Sequence, residues 1–202
     1  MQVKDKVFIL KTVRYGEADI IVHAFSSTGA RLNLFARSAV KSKKRFGGGV
    51  LEPTHYIHVL YEDKTSKRSE NPLHTLKEAS LIEGFEGLRT DYARIEAGLY
   101  ILQLIAEVVR EGEVDSIDLF NLLGNALRAT ELSHDLKKLR IHFEVKLLAN
   151  QGVLPPEDEA EQLLIGLPVS AHEAALLTEA DWARVQGRTK RHLAEYLGHQ
   201  KA

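Results

Sequence analysis

The chain has no cysteine, one methionine, one tryptophan and five prolines among its 202 residues. Without cysteine there is no disulfide, no thiolate zinc site and no cysteine nucleophile. No apolar run approaches the roughly 18 residues that a spanning helix needs. The opening "MQVKDKVFILKTVRYGEADI" carries an apolar run of four closely flanked by charge, which is not the pattern of a secretory signal. These absences predict a cytoplasmic protein.

Catalytic motifs are lacking as well. A P-loop needs glycines ahead of a Lys-Ser/Thr pair that opens a helix. Here the lysines come first and "FGGGV" leads toward a strand. There is no GxGxxG, GxSxG or HExxH. The nine histidines do not fall at ligand spacing. His55 and His58 lie on opposite faces of an expected strand, and His142 and Glu144 point apart on an expected helix. Glu17 and Asp19 flank the start of a strand without forming a carboxylate cluster. Glu157, Asp158 and Glu159 read as a solvated loop, and Asp181 with Trp182 as a helix start. The sequence predicts no enzyme, no metal and no cofactor.

What the chain does have is charge, unevenly placed. Residues 1–80 hold 14 Lys+Arg against 8 Asp+Glu, a balance of +6; the remainder holds 13 against 20, a balance of -7, and the whole chain is at -1. Between Asp19 and Glu52 there are six basic residues and no acidic one. The stretch "ARSAVKSKKRFGGGV" packs Arg37, Lys41, Lys43, Lys44 and Arg45 into nine positions and follows them with Phe46 and three glycines. Cations at that density suit phosphates, and an aromatic face suits stacking on bases. Phe46 is either such a face or a loop anchor packed on the domain. Gly47, Gly48 and Gly49 either let backbone approach a phosphate or turn a corner. A second cluster, Lys64, Lys67 and Arg68, has acidic neighbours and reads as a solvated hairpin.

Periodicity divides the chain. "VFILKTV", "DIIVHAFS", "ARLNLFARS" and "HYIHVLYED" read as strands, with Leu32, Leu34 and Ala36 inward, Arg31, Asn33 and Arg37 outward, and Phe35 an aromatic among the polar residues. "LHTLKEASLI" is a fifth strand or a lead into helices. Five short strands in this length favour a small closed barrel. From about residue 90 the period turns helical: one helix with Leu99, Leu102, Ala106 and Val109 on a stripe ending at Gly112, and a second with Leu119, Leu122, Leu123 and Leu127. A third is capped by Ser133, carries Leu136, Leu139, Phe143 and Leu147, and stops at Gly152 and Pro155. Ser170 and Glu173 have capping-box spacing, and a last helix is expected from about residue 189 to 197. The reading is an all-β N-terminal domain, residues 1–80, followed by a helical C-terminal domain, residues 81–202.

"YGEADIIV" (15–22), "STGARLNLFARSAVKSKKRFGG" (27–48) and "LEP" (51–53) resemble the N-terminal domain of the RecO family of bacterial DNA repair and recombination mediators. "LRIHFEVKLLANQGVLP" (139–155) is similar to the family's C-terminal helix motif, and "RHLAEYLGHQK" (191–201) to its closing segment. The resemblance implies an α+β multidomain chain, an OB-fold β-barrel that binds nucleic acid over residues 1–80 and an all-α helical domain over residues 81–202. It implies a non-enzymatic protein that binds single- and double-stranded DNA, anneals complementary strands and assists recombinase loading onto DNA coated by single-strand-binding protein, at the nucleoid. It implies two protein partners, RecR and the acidic tail of single-strand-binding protein. Carried over residue by residue, it assigns DNA contact to Arg37, Lys41, Lys43, Lys44 and Arg45, with Arg31 and Arg14; Phe46 is added to this set from its own sequence setting. Arg128, Lys137, Lys138 and Arg140 are candidate rim residues for the tail, although Arg140 with Glu144 also reads as a surface salt bridge. Many members bind a structural zinc through four cysteines after the Gly-x-x-Pro segment. Their absence here leaves that region to apolar packing, through Leu163, Leu164, Ile165 and Leu167, or partly mobile. Ser38 stands where the family often has glycine. The alternative is an adaptor whose basic domain meets an acidic protein.

Overall fold

The computed structural model describes residues 1–64, 72–109, 117–155 and 157–200, without the side chains of residues 43, 199 and 200. Lys67, Arg68, Gly112 and the Lys43 side chain therefore lie outside the described residues.

Five strands form a closed barrel: β1 (Gln2–Tyr15), β2 (Asp19–Ser26), β3 (Arg31–Ala36), β4 (Tyr56–Glu62) and β5 (Leu73–Glu83), in the order β1-β2-β3-β5-β4. Closure depends on the length of β1. Its first half pairs with β4 (Gln2 opposite Glu62) and its second with β2 (Tyr15 opposite Asp19). A register shift between Ile9 and Lys11 marks the change of partner, as bulges do at barrel corners. Period-two alternation sends Val7, Ile9, Val22, Ala24, Leu34, Ile57, Val59 and Leu76 into one apolar cluster, each large side chain stabilising by roughly 1.5–3 kcal/mol.

The outer wall is not all solvated. Phe8 stacks on Tyr56 at 4.7 Å between centroids, and Phe120 packs on Phe8 at 4.8 Å and on Phe25 at 5.6 Å. Phe120 belongs to the barrel's own compact unit, which comprises Met1–Phe85 with Leu102–Phe120; the second unit comprises Glu86–Ile101 with Asn121–Ala202. Residue 80 falls inside β5.

The helices are α1 (Lys43–Phe46), α2 (Tyr92–Val108), α3 (Ile117–Leu132), α4 (Leu136–Asn150), α5 (Glu159–Gly166) and α6 (Glu179–Gln200), with 3-10 turns at Ala39–Lys41, Glu86–Arg89 and Val169–Ala174. On α3 and α4 the expected residues are buried: Leu119, Leu122, Leu123 and Leu127, then Leu139, Phe143 and Leu147.

Four local expectations are corrected. Leu99 is 45% exposed, and α2 buries Ile101, Leu102, Leu104, Ile105 and Val108 instead, because this stretch is apolar around most of its circumference and no single stripe defines it. The N-cap of α4 is Asp135, which accepts from the Lys138 N–H at 2.9 Å. α6 begins at Glu179, where Thr178 and Asp181 exchange backbone N–H donations at 3.2 and 3.0 Å, a capping box that the sequence carries as "TEAD". Ser170 and Glu173 start no separate helix; they lie inside the 3-10 turn Val169–Ala174, which opens after Pro168.

The segment after Leu154 is held by apolar packing and by hydrogen bonds from α4. Among the described residues no group of three or more His, Asp or Glu is placed to hold a metal ion. Leu164 is fully buried in a cluster with Trp182 and Val185, and Ile165 packs against it, whereas Leu163 is 37% exposed. Apolar packing is half of the account. The α4 side chains His142 and Lys146 cap the C-terminal carbonyls of α5: His142 Nε2 donates to Leu164 O at 2.7 Å, and Lys146 Nζ to Ile165 O at 2.7 Å and Leu167 O at 2.8 Å. The "solvated" acids are also engaged: Asp158 caps α5 through the Glu161 N–H at 2.9 Å and accepts from Arg184 Nε at 2.8 Å.

Candidate nucleic-acid interface

The basic stretch is a folded appendage rather than a free loop. The Ser38 N–H donates to the Asp19 carboxylate at 2.7 Å and the Val40 N–H to Ala18 O at 3.0 Å. These two bonds dock residues 38–40 on the β1–β2 turn. Ser38 has φ 52, the left-handed region that glycine enters at no cost. Ala39, Phe46, Val50 and Leu51 are buried in the barrel cluster. Gly48 and Gly49 have φ of 71° and 70°, and a Cβ on Gly49 would stand 2.5 Å from the Glu52 carboxylate. The glycines turn a corner.

Phe46 is thus corrected. At 6% exposure it anchors the loop on the barrel and offers no face to a base. Arg45 shares that structural role: Nη2 donates to Arg37 O at 2.8 Å, Nε to Ser42 Oγ at 3.2 Å, and the guanidinium stands 4.9 Å from the Phe46 centroid. Arg37, Lys41 and Lys44 are exposed. Arg14 is exposed too, in a row with Ile20 and Ala36 that brings it to the end of the barrel from which Arg37 departs. Arg31 does not join them. Its Nη1 donates to Ala106 O at 3.2 Å, against the backbone of α2.

The aromatic component lies elsewhere on this surface. Tyr15 is 60% exposed and meets Phe35 edge-to-face at 6.0 Å. The register aligns Val13, Ile21 and Phe35 in one cross-strand row and Lys11, His23 and Asn33 in the next. His23 Nδ1 lies 2.7 Å from Asn33 Oδ1. The signal that could have located this face was Phe35, the aromatic that broke the alternation of β3.

The helical cations are differently employed. Lys138 lies 2.8 Å from Glu179 and 3.7 Å from Asp135. Arg140 stacks 3.6 Å over the Tyr100 ring centroid and donates from Nε to Glu144 Oε1 at 2.9 Å. The Glu144 side chain is only 4% exposed and also accepts from Tyr100 OH at 2.5 Å; burial and this carboxylate together push the Tyr100 phenol up. The surface salt bridge is therefore half of a buried carboxylate site. Arg128 and Lys137 are exposed, on α3 and α4.

One constellation has the residue types of a nucleophilic triad. Ser133 Oγ lies 2.8 Å from His172 Nε2 and donates to Glu173 Oε1 at 3.2 Å. A triad needs its acid on the far ring nitrogen, but His172 Nδ1 meets Val169 O at 3.1 Å. Ser133 and His172 are buried, and Glu173 Oε1 also accepts from the His134 N–H at 2.6 Å. The group is a clasp holding the α3–α4 turn.

Two family models match in chain order: Recombination protein O N terminal over residues 1–85 and Recombination protein O C terminal over residues 89–160. The DNA repair protein RecO of Alkaliphilus metalliredigens is 29% identical over 77% of this chain and 60% of its own length. That of Anaeromyxobacter dehalogenans is 32% identical over 80% of this chain and 60% of its own length. That of Maridesulfovibrio salexigens is 31% identical over 77% and 61%. The chain spans about 60% of the length of these curated relatives.

Proposed function

The chain belongs to the RecO family, and on that premise we propose that it is a non-enzymatic recombination mediator that binds single- and double-stranded DNA and anneals complementary strands. The observation that carries this reading is the rim of the barrel, where exposed Arg14, Arg37 and Lys41 accompany exposed Tyr15 and its half-buried partner Phe35. Lys43 sits on the same appendage. Cations that neutralise phosphates release counterions, and aromatic faces stack on any base. Neither requires a particular sequence, which suits a protein that must pair whatever strands it meets. Four phosphate contacts give a log-affinity against log-salt slope of about -3 on single strands.

In the same reading the protein assists recombinase loading on DNA coated by single-strand-binding protein, with RecR and the acidic tail of that protein as partners. For the tail, Lys137 is better placed than Lys138 and Arg140, which already face carboxylates, and Arg128 is a further candidate. The test is annealing of complementary fluorescent oligonucleotides by the purified chain, without nucleotide, across a salt series. Acceleration that fades as salt rises supports the reading. Absence of binding to either strand moves the chain to the adaptor class, with an acidic protein as partner.

A further inference from the structure

The barrel has a second cationic surface, which joins Lys44 and Arg45 of the basic stretch to residues far from it in sequence. On the wall made by β1, β4 and β5, beside α1, a groove of about 910 Å³ is lined by Lys4, Lys44, Arg45 and His58, with Glu78 as the one carboxylate among its lining residues. The register explains the gathering: Lys4 stands opposite Leu60, and His58 is flanked by Lys6 on one side and Ser80 on the other. Val59, 3% exposed, contributes to its floor. Three permanent cations against one carboxylate select an anion.

The groove differs from the rim in one respect: none of its described lining residues is phenylalanine, tyrosine or tryptophan. A single strand gains much of its affinity from stacking its bases on rings, and this surface offers none. It can grip phosphates alone. An occupant held only by its phosphates, with its bases already stacked and paired, is a duplex. We propose that the β1–β4–β5 groove seats the backbone of double-stranded DNA, while the Tyr15–Phe35 rim holds unpaired bases; this rests on the DNA-binding reading above. Arg37 and Lys41 lie on the rim side of the appendage and Lys44 and Arg45 in the groove, so one folded segment serves both. Strands pairing at the rim then have a product site beside it.

Lys4 tests this, because it lines the groove and has no part in the rim. The intact chain and its Lys4→Ala and Lys4→Glu variants are titrated by anisotropy against a short blunt duplex and against oligothymidylate, over a range of salt. On the duplex, Lys4→Ala makes the salt slope shallower by about 0.9, one phosphate contact, and Lys4→Glu weakens binding further. Oligothymidylate affinity stays at the wild-type value. A duplex slope unchanged in both variants overturns the groove assignment and leaves the DNA-binding reading standing. So does an oligoglutamate peptide that binds the wild-type chain and loses that binding in Lys4→Glu while duplex affinity holds. A wild-type chain that binds neither DNA probe removes the functional reading and this proposal together.

Discussion

The two compact units use charge in opposite ways. Among the described residues the barrel unit buries Ser26, Thr54, His55 and His74 but no Lys, Arg, Asp or Glu, and its appendage turns Arg37, Lys41 and Lys44 outward. The helical unit draws charge inward. Glu144 and Glu161 are buried, the latter completely, and Arg188, whose side chain is 15% exposed, reaches Glu161 at 2.7 Å, pairs with Glu157 and donates to Pro155 O at 3.2 Å. Lys146 is spent on the end of α5. Cations of the first kind are available to a partner; those of the second hold the chain together. Counting Lys and Arg along a sequence cannot separate the two kinds, which is why Lys138 and Arg140 read as rim residues.

The contrast is most sharply broken at Arg188. Removing it leaves the Glu161 carboxylate buried without its cation, and breaking a buried pair costs about 3–5 kcal/mol. Arg188→Ala is therefore expected to lower the stability of the helical unit by that amount in urea. The only tryptophan, Trp182, is 3% exposed in the same cluster and reports the transition by fluorescence. Arg37→Ala, an exposed rim cation, is expected to stay within about 0.5 kcal/mol of wild type. If both substitutions cost alike, the division of labour is wrong. A Glu161→Leu, Arg188→Met double variant should recover most of the loss, since apolar replacements of a buried pair are tolerated.

Phe46 sharpens the same point from the barrel side. As a core anchor, Phe46→Ala is expected to cost about 3–5 kcal/mol through the cavity it leaves. Phe46→Leu, which refills most of that space, should keep both the fold and DNA binding. A Phe46→Leu protein of wild-type stability that no longer binds single strands returns the residue to the stacking role.

His142 gives the helical unit a pH dependence of its own. Burial, with Lys146 nearby, lowers its pKa from the ordinary 6.5 to about 4. The folded unit thus holds the ring neutral where the unfolded chain would protonate it. Stability is complete above 6.5 and falls as pH drops toward 4, because the unfolded state binds the extra proton. The total is about 3 kcal/mol, at roughly 1.4 kcal/mol per pH unit. His142→Gln can still donate to Leu164 O but does not titrate, so its urea midpoint should be flatter with pH across that window. An equal slope in both proteins places the dependence on another group.

Legibility followed the same division. The barrel was readable because alternation has a two-residue period: Leu32, Leu34 and Ala36 could point only one way once one of them was inside. The helices α3 and α4 were readable through their leucine spacing. What could not be read depended on contacts between residues distant in sequence. Asp135 displaced Ser133 as a cap because Ser133 is engaged by His172 and Glu173, nearly forty positions away. Arg31 looked like its neighbour Arg37 until α2 supplied Ala106 O as an acceptor. The groove joins Lys4 to His58 through strand pairing, and to Lys44 through the placement of α1, neither of which a local pattern carries.

The smallest expected effect separates the rim's two components. Tyr15 touches Phe35 only at its edge and is mostly exposed, so Tyr15→Ala should change stability by no more than about 0.5 kcal/mol. If its ring stacks on a base, the same substitution weakens oligothymidylate binding by about 1–3 kcal/mol and leaves the salt slope unaltered, because no phosphate contact is lost. Tyr15→Phe retains the ring and should bind as the wild type does. Arg37→Ala is the converse, with a slope shallower by about 0.7 on single strands. Anisotropy titrations of the three variants across salt decide the matter. A Tyr15→Ala variant that loses slope rather than slope-independent affinity means the ring only positions the neighbouring Arg14, and the rim is then electrostatic throughout, like the groove.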